Sequence, residues 1–418
     1  MTTDADTALT RAHRDEWARL VASLTRRFGS LDVAEEATAE AFAVAAEHWR
    51  AHGVPPNPGG WLSTTASRKA LDRLRRDQVG RRKLQEAAML DEQLADEPPP
   101  DPTGEGTLDL ATDDRLRLVF TCAHPALSME ARVALTLRLL GGLTVPEIAS
   151  AFLVPDTTMG QRITRAKRKI AAAGIPYRVP SATDLPERLD GVLAVLYLVF
   201  NEGYLSSSPT AAPIRVDLTG EAIRLTGLLH ALMPDEGEVA GLLALMLLIE
   251  ARREARVDSS GVLLRLDEQD RDRWDRDLIA RGQGLVRARI ATGVAPGRYQ
   301  LMAAINAVHT HARRAPDTDW SQIVVLYGQL MRLDPSPIVA LNRAVAVAEV
   351  DGPQVGLALV DRLGDALDGY HPFHVARADL LSRLGRPDEA GAAYDRALAL
   401  ATNTAEIAHL TRRRAELG

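Results

Sequence analysis

The chain has 418 residues, a net charge of −6, 25% charged side chains and 46% hydrophobic ones. That is too long for one typical core and too ordinary for a fibrous or low-complexity chain, so two to four globular domains are expected. A single cysteine, Cys122, excludes an internal disulfide framework and a thiolate metal cage.

Aromatic residues make up only 4%, while Ala and Leu abound, which favours helices over strands. The opening "MTTDADTALTRAHRDE" is polar and has no apolar signal-peptide core. The longest apolar runs, "GVLAVLYLVF" and "GLLALMLLIEA", fall far short of a membrane span. A cytoplasmic protein with no membrane partner is the expectation. Residues 1–180 hold 24 basic and 24 acidic residues, so the acidic surplus lies wholly in 181–418. Positive charge is clumped in the first part, in Arg68 to Lys83 and again in Arg162 to Arg178. Such local patches matter for nucleic-acid contact, because counterions are displaced where protein meets phosphate.

In chain order, residues 8–80 read as helical. "DVAEEATAEAFAVAAEHW" is amphipathic, with Asp32 expected as N-cap and Glu35 three residues on, as in a capping box. "RAHGVPPNPGG" is a loop, and "WLSTTASRKALDRLRRD" resumes as helix. Residues 84–109 are acidic and rich in Pro and Gly, which marks a flexible tether. Helical signal returns over 110–178. "DDRLRLVFTCAHPAL" breaks at Pro125. "SMEARVALTLRLLGG" has Ser128 as expected N-cap and Gly141 as expected C-cap. "TVPEIASAFL" has Thr144 at the N-cap with Glu147 three residues later, "VPDTT" is a turn, and a second helix runs to Gly174. Residues 181–298 are helical without a clear period. Over 299–418, Gly385, Ala390, Tyr394 and Ala397 in "GRPDEAGAAYDRALAL" have the small-and-aromatic spacing of a tetratricopeptide repeat. Tyr327 and Pro335 are spaced as that repeat expects, and "DGP" (351–353) and "GRP" (385–387) mark equivalent turns.

Three sets of residues in the first part could carry function. In the second helix after the "VPDTT" turn, Ile163, Ala166 and Ile170 form an apolar stripe, while Arg162, Arg165, Arg168 and Lys169 are basic. Thr157, Thr158 and Gln161 stand at its N-terminal turn. A recognition helix is built this way: N-terminal residues reach base edges and basic residues grip phosphates. A second basic set, Arg68, Lys69, Arg73, Arg75 and Arg76, follows Trp61 and could hold a single strand, with Trp61 itself read as core. Third, Glu36, Glu40 and Glu47 share one helix face, with Asp32 and Glu35 at its start. No His or nucleophile is spaced to make these carboxylates catalytic, so a protein-binding surface is the better reading.

These features, in this order, resemble an extracytoplasmic-function (ECF) sigma factor of bacterial RNA polymerase over residues 8–178. The resemblance implies an all-α chain in which 8–80 is the region 2 bundle, binding core polymerase and the −10 strand. Residues 110–178 would be the region 4 helix-turn-helix, reading the −35 element. It places Asp32, Glu35, Glu36 and Glu40 on the β′ clamp helices, Arg68, Lys69, Arg73, Arg75 and Arg76 on the −10 strand, and the helix from Thr157 on −35 DNA. "RAHGVPPNP" falls where the family has its −10 specificity loop. The β flap, promoter DNA and core polymerase are the implied partners. Met159-Gly160 departs from the family, where a valine and a Lys or Arg are common. "YLVFNEGYLSS" and the repeats are similar to the large members with a C-terminal extension, the ECF42 type. Members of that group are often encoded beside small DGPF/YCII-type proteins, which adds such a protein to the candidate partners.

In "FNEGY", Gly203 is expected to be a helix C-cap with Tyr204 packing back on the helix. The other reading makes Asn201, Glu202, Gly203 and Tyr204 a regulatory contact site. The histidines are too scattered for a metal site, and neither a cofactor nor an enzymatic activity is indicated. The rival function is a helix-turn-helix regulator with a repeat domain and no polymerase docking.

Overall fold

In the computed structural model, the described residues are 4–85, 114–204, 215–258 and 262–417, less 153, 182 and 402. Among them the chain is all-α: helices and short 3-10 turns make up the regular structure, and no strand is present beyond one isolated Val257–Leu263 bridge. Most of the expected tether, 86–109, lies outside the described residues. The chain divides into two compact units, Met1–Val199 and Phe200–Gly418. The first two expected domains therefore fall within one unit.

The first unit begins with a three-helix bundle: α1 (Asp4–Phe28), α2 (Leu31–His52) and α3 (Pro58–Gln85). Ala34, Ala37, Ala41 and Ala45 on α2, and Leu62, Ala66 and Ala70 on α3, recur every three to four residues and are all buried. Such small residues let helices approach closely, and Trp17, Phe42 and Trp49 fill the remaining volume. The N-cap of α2 is Ser30, whose side chain accepts from the Val33 amide, and not Asp32. Gly29 (φ 69°) turns the chain there, so the helix starts one residue before Asp32.

The second bundle holds α4 (Asp114–Cys122), α5 (Met129–Leu139), α6 (Val145–Ala151) and α7 (Asp156–Ala172). Ser128 caps α5 as expected. The left-handed residue that ends this turn is Gly142 (φ 66°), not Gly141. At α6 the capping box forms: the Thr144 amide donates to Glu147 Oε2 (2.7 Å), and the Glu147 amide donates back to Thr144 Oγ1 (3.4 Å). Cys122 is fully buried, and burial pushes its thiol well above the ordinary range. It is a packing residue.

Helix α8 (Leu185–Tyr204) runs past the division. In the second unit, α10 (Gly237–Glu250) is buried on every side, as its unbroken apolar sequence requires. It packs against α9 (Val216–Leu232), α11 (Arg276–Ala291) and α12 (Arg298–His311). A series of helices follows: α13 (Trp320–Leu333), α14 (Pro337–Asp351), α15 (Pro353–Asp361), α16 (Gly364–Leu367), α17 (His371–Arg383), α18 (Pro387–Leu400) and α19 (Thr404–Ala415). The two turns picked out by sequence fall between α14 and α15 and between α17 and α18, with Gly352 (φ 93°) and Gly385 (φ 70°) left-handed. Ala390, Tyr394 and Ala397 are fully buried in α18, and the Tyr394 hydroxyl donates to Asp379 of α17.

Gly203 is not a C-cap. It sits inside the last turn of α8, and its role is close approach: a Cβ there would lie 2.7 Å from the Thr219 amide nitrogen and 2.9 Å from the Arg215 carbonyl oxygen. Tyr204 does pack back on its helix, stacked against Phe200 at 6.2 Å. Its outer face is covered by the Arg256 guanidinium, 3.3 Å from the ring centroid, which also donates to the Tyr204 carbonyl. The expected result for Gly203→Ala is a thermal stability loss of about 1–3 kcal/mol by overpacking. Calorimetry of the variant beside Glu202→Gln, which fills no space, checks this.

His309 on α12 is held well below the usual imidazole range, at about 4, by burial and by the nearby Arg252 and Arg271. The unfolded chain then binds more protons than the folded one between pH 4 and 6.5, so stability falls as pH drops through that window. Replacing His309 with Phe should remove up to about 3 kcal/mol of pH-dependent change in unfolding free energy across that window, seen as a flatter plot of melting temperature against pH.

Candidate nucleic-acid and polymerase interface

Helix α7 presents two faces. Met159, Ile163, Ala166 and Ile170 are buried against the second bundle. Thr157, Thr158, Gln161, Arg165, Arg168 and Lys169 are exposed, and Arg162 is half-buried with its guanidinium 5.8 Å from the Phe152 ring centroid. Met159, a departure from the resembled family, takes the core position at the start of the stripe. At Gly160 a Cβ would fit in ordinary van der Waals contact with Val145, 3.8 Å away. Arg165 reaches back to Gln161 Oε1 at 3.4 Å, so the two share one exposed patch. The arrangement offers polar hydrogen-bonding groups at the helix N-terminus and cations along one side. It suits insertion into a major groove.

The acidic and basic sets of the first bundle meet. Lys69 and Arg73 lie one turn apart on α3, facing Glu36 and Glu40, which lie one turn apart on α2. Lys69 Nζ is 3.5 Å from Glu40, and Arg73 pairs with Glu36 and, at 3.8 Å, with Glu40. Sequence spacing could not reveal this, because it needs the pairing of two helices. Arg68, Arg75 and Arg76 remain exposed, the last two turned toward Asp72. Trp61 is half-buried, edge-on to the buried Trp49 at 5.9 Å.

Glu35 differs from its neighbours. It is 6% exposed, and its carboxylate lies between two cations of the second bundle. Arg138 of α5 donates through Nε to Oε1 (2.5 Å), and Lys167 of α7 pairs with Oε2. Lys167 also donates to Asp32 (2.8 Å). Burial works against the Lys167 charge, but Glu35 and Asp32 outweigh it and hold its ammonium above the ordinary lysine range. Neither Lys167 nor Arg138 stood out in the sequence. The one available signal was that Lys167 directly follows Ala166 of the apolar stripe, and so borders the buried face.

Comparison with known proteins places names on these parts. Residues 117–170 match sigma-70 region 4, a stretch that runs from within α4 to near the end of α7. Residues 188–290 match a family of unknown function, DUF6596. An uncharacterized protein of Rhizobium meliloti (strain 1021) is 44% identical over 390 residues, which cover 93% of this chain and 90% of that one. No solved structure matches. The chain belongs to the same family as the Rhizobium protein, and its sigma-70 region 4 supports membership of the sigma-70 family, a class of non-enzymatic transcription factors. The region 4 match supports a sigma-factor-like DNA-binding role.

Two substitutions on α7 separate grip from choice. Arg168→Ala should weaken binding to all duplexes alike and lower the salt slope of log K by about 1. Gln161→Ala should instead cost about 1–3 kcal/mol on the preferred duplex only. Titrations of the full chain on preferred and scrambled duplexes at several salt concentrations distinguish them.

Proposed function

We propose that the protein is a sigma factor that brings core RNA polymerase to specific promoters. The observation that carries this is the region 4 match falling on a helix-turn-helix whose polar and basic residues face solvent. In this reading α7 reads the −35 duplex through Thr157, Thr158, Gln161, Arg162, Arg165, Arg168 and Lys169. The α1–α3 bundle is region 2. Its α2 carboxylates, Asp32, Glu35, Glu36 and Glu40, dock on the β′ clamp helices, while region 4 meets the β flap. Arg68, Lys69, Arg73, Arg75 and Arg76 hold the −10 strand, and the energy of those contacts offsets unstacking of its bases. No bond is made or broken by the chain itself. Cations supply affinity and base-edge contacts supply selectivity.

The second unit is a helical-repeat extension of the tetratricopeptide kind, as in the ECF42 type, that regulates or scaffolds. The glycine turns at 352 and 385 and the buried Ala390-Tyr394-Ala397 stripe support that reading. A small DGPF/YCII-type protein is a candidate partner. For Asn201, Glu202, Gly203 and Tyr204, the cover of Arg256 over Tyr204 and the close approach of Gly203 to Arg215 and Thr219 favour a structural task. The work is done in the cytoplasm, where the polymerase is; none of the described helices is long and apolar enough to cross a membrane.

Charge reversal at Glu36 and Glu40 together tests the docking. Co-sedimentation with purified core polymerase should fall at least about tenfold for the double Lys variant, with duplex binding by α7 intact. Unchanged polymerase binding would support a DNA-binding regulator without polymerase docking.

A further inference from the structure

We propose that the cavity between α10, α11, α12 and α13 of the second unit is a binding site for a small amphiphilic carboxylate, an acid with one anionic head and an apolar body. Arg289 takes the head, and the alanine-lined interior takes the body. The site lies wholly within the second unit, and it stands or falls independently of the sigma reading of the first.

The space exists because the helices around it carry small side chains where they face one another. Ala240, Gly241 and Ala244 of α10 meet Ala303 and Ala304 of α12 across it. Gly241 is required there, since a Cβ would lie 2.5 Å from the Gln300 amide nitrogen. Leu285 of α11 and Leu326 of α13 add apolar wall, and the loop Gly293–Pro296 closes one side. The cavity measures 350 Å³, within the range of pockets that hold small ligands, about 300–1,000 Å³. Ile290 (70% exposed) and Val294 (62%) stand on its border, and they are the most exposed large hydrophobics among the described residues. An apolar body entering the cavity would cover both.

The polar groups of the cavity set the sign of the ligand. Arg289 is half-buried in the last turn of α11, and one terminal nitrogen donates to the Asp235 carbonyl (3.0 Å). Among the described residues no carboxylate pairs with it, and its Nε is buried without a hydrogen-bond partner. A second donor stands beside it: a Cβ on Gly237 would lie 2.7 Å from Arg289 Nη2 and 2.6 Å from Gln300 Nε2. The carboxylate close by, Glu238, is occupied at the start of α12, where it accepts from the amides of Tyr299 (3.0 Å) and Gln300 (3.2 Å). The uncompensated charge is felt by a neighbour, since burial and then Arg289 hold His230 below the usual imidazole range. A half-buried guanidinium beside apolar walls, with donors to spare and no acid, matches a carboxylate, which guanidinium holds through paired N–H bonds. An ammonium head would meet like charge at the same place.

Calorimetric titration of the full chain with octanoate, octanamide and octylamine tests the assignment. Octanoate should bind at one site with a dissociation constant on the order of 1 mM or tighter. Octanamide should bind at least about tenfold more weakly, and octylamine not at all. Arg289→Gln should weaken octanoate at least about tenfold, while Arg289→Lys, which restores the charge, should recover most of the loss. Ala304→Phe, which fills the cavity, should abolish binding with the melting temperature kept. Equal binding of octanoate and octylamine, octanoate binding unchanged in Arg289→Gln, or no octanoate binding at all would overturn the proposal. So would a free chain that sediments as a dimer and reverts to monomer in Ile290→Glu, because a second copy would then be the occupant.

Discussion

One carboxylate organises the first unit. Glu35 is almost fully enclosed, and burying a charge is tolerated only when it is paired and hydrogen-bonded. Arg138 and Lys167 supply the pairing from two different helices of the neighbouring bundle. Arg138 is itself fixed from behind, since one of its terminal nitrogens donates to the Leu143 carbonyl (2.7 Å) in the turn before α6. The ion cluster therefore joins α2 of the first bundle to α5 and α7 of the second. Removing Glu35 would take from Arg138 and Lys167 the buried carboxylate they share.

The same electrostatics explain how an acidic chain can present a basic helix to solvent. The acidic surplus lies entirely beyond residue 180, and among the described residues of the first unit Asp32, Glu35, Glu36 and Glu40 are each paired with specific cations. Beyond its exposed first residue, Asp156, the charge that α7 shows to solvent is positive: Arg165, Arg168 and Lys169, with no exposed acid between them. Association with DNA responds to that local field over about one Debye length, not to the net charge of the whole chain.

Much of the fold was legible in the sequence. The all-α class, the helix-turn-helix, the capping box at Thr144 and the turns at Gly352 and Gly385 follow from local spacing and backbone chemistry, which act within a few residues. Three local assignments slipped by small margins. Ser30 displaced Asp32 as cap because Gly29 set the turn one step earlier. Gly142 took the left-handed position beside Gly141. Gly203 is required for space between helices, which no local pattern encodes. The site was legible only in its exposed part. Sequence separated acids on α2 from bases on α3 because it cannot see that Glu36 and Glu40 face Lys69 and Arg73. It missed Lys167 and Arg138 because their partners stand 132 and 103 residues away in the chain.

The central claim is that this chain gives polymerase a choice of start site. Run-off transcription with purified core polymerase and the full chain, on a genomic fragment library, tests it most directly. The account predicts discrete start sites, absent with core alone, that share two upstream sequence elements at fixed separation and fade steeply with added salt. Starts no different from those of core polymerase alone would contradict it.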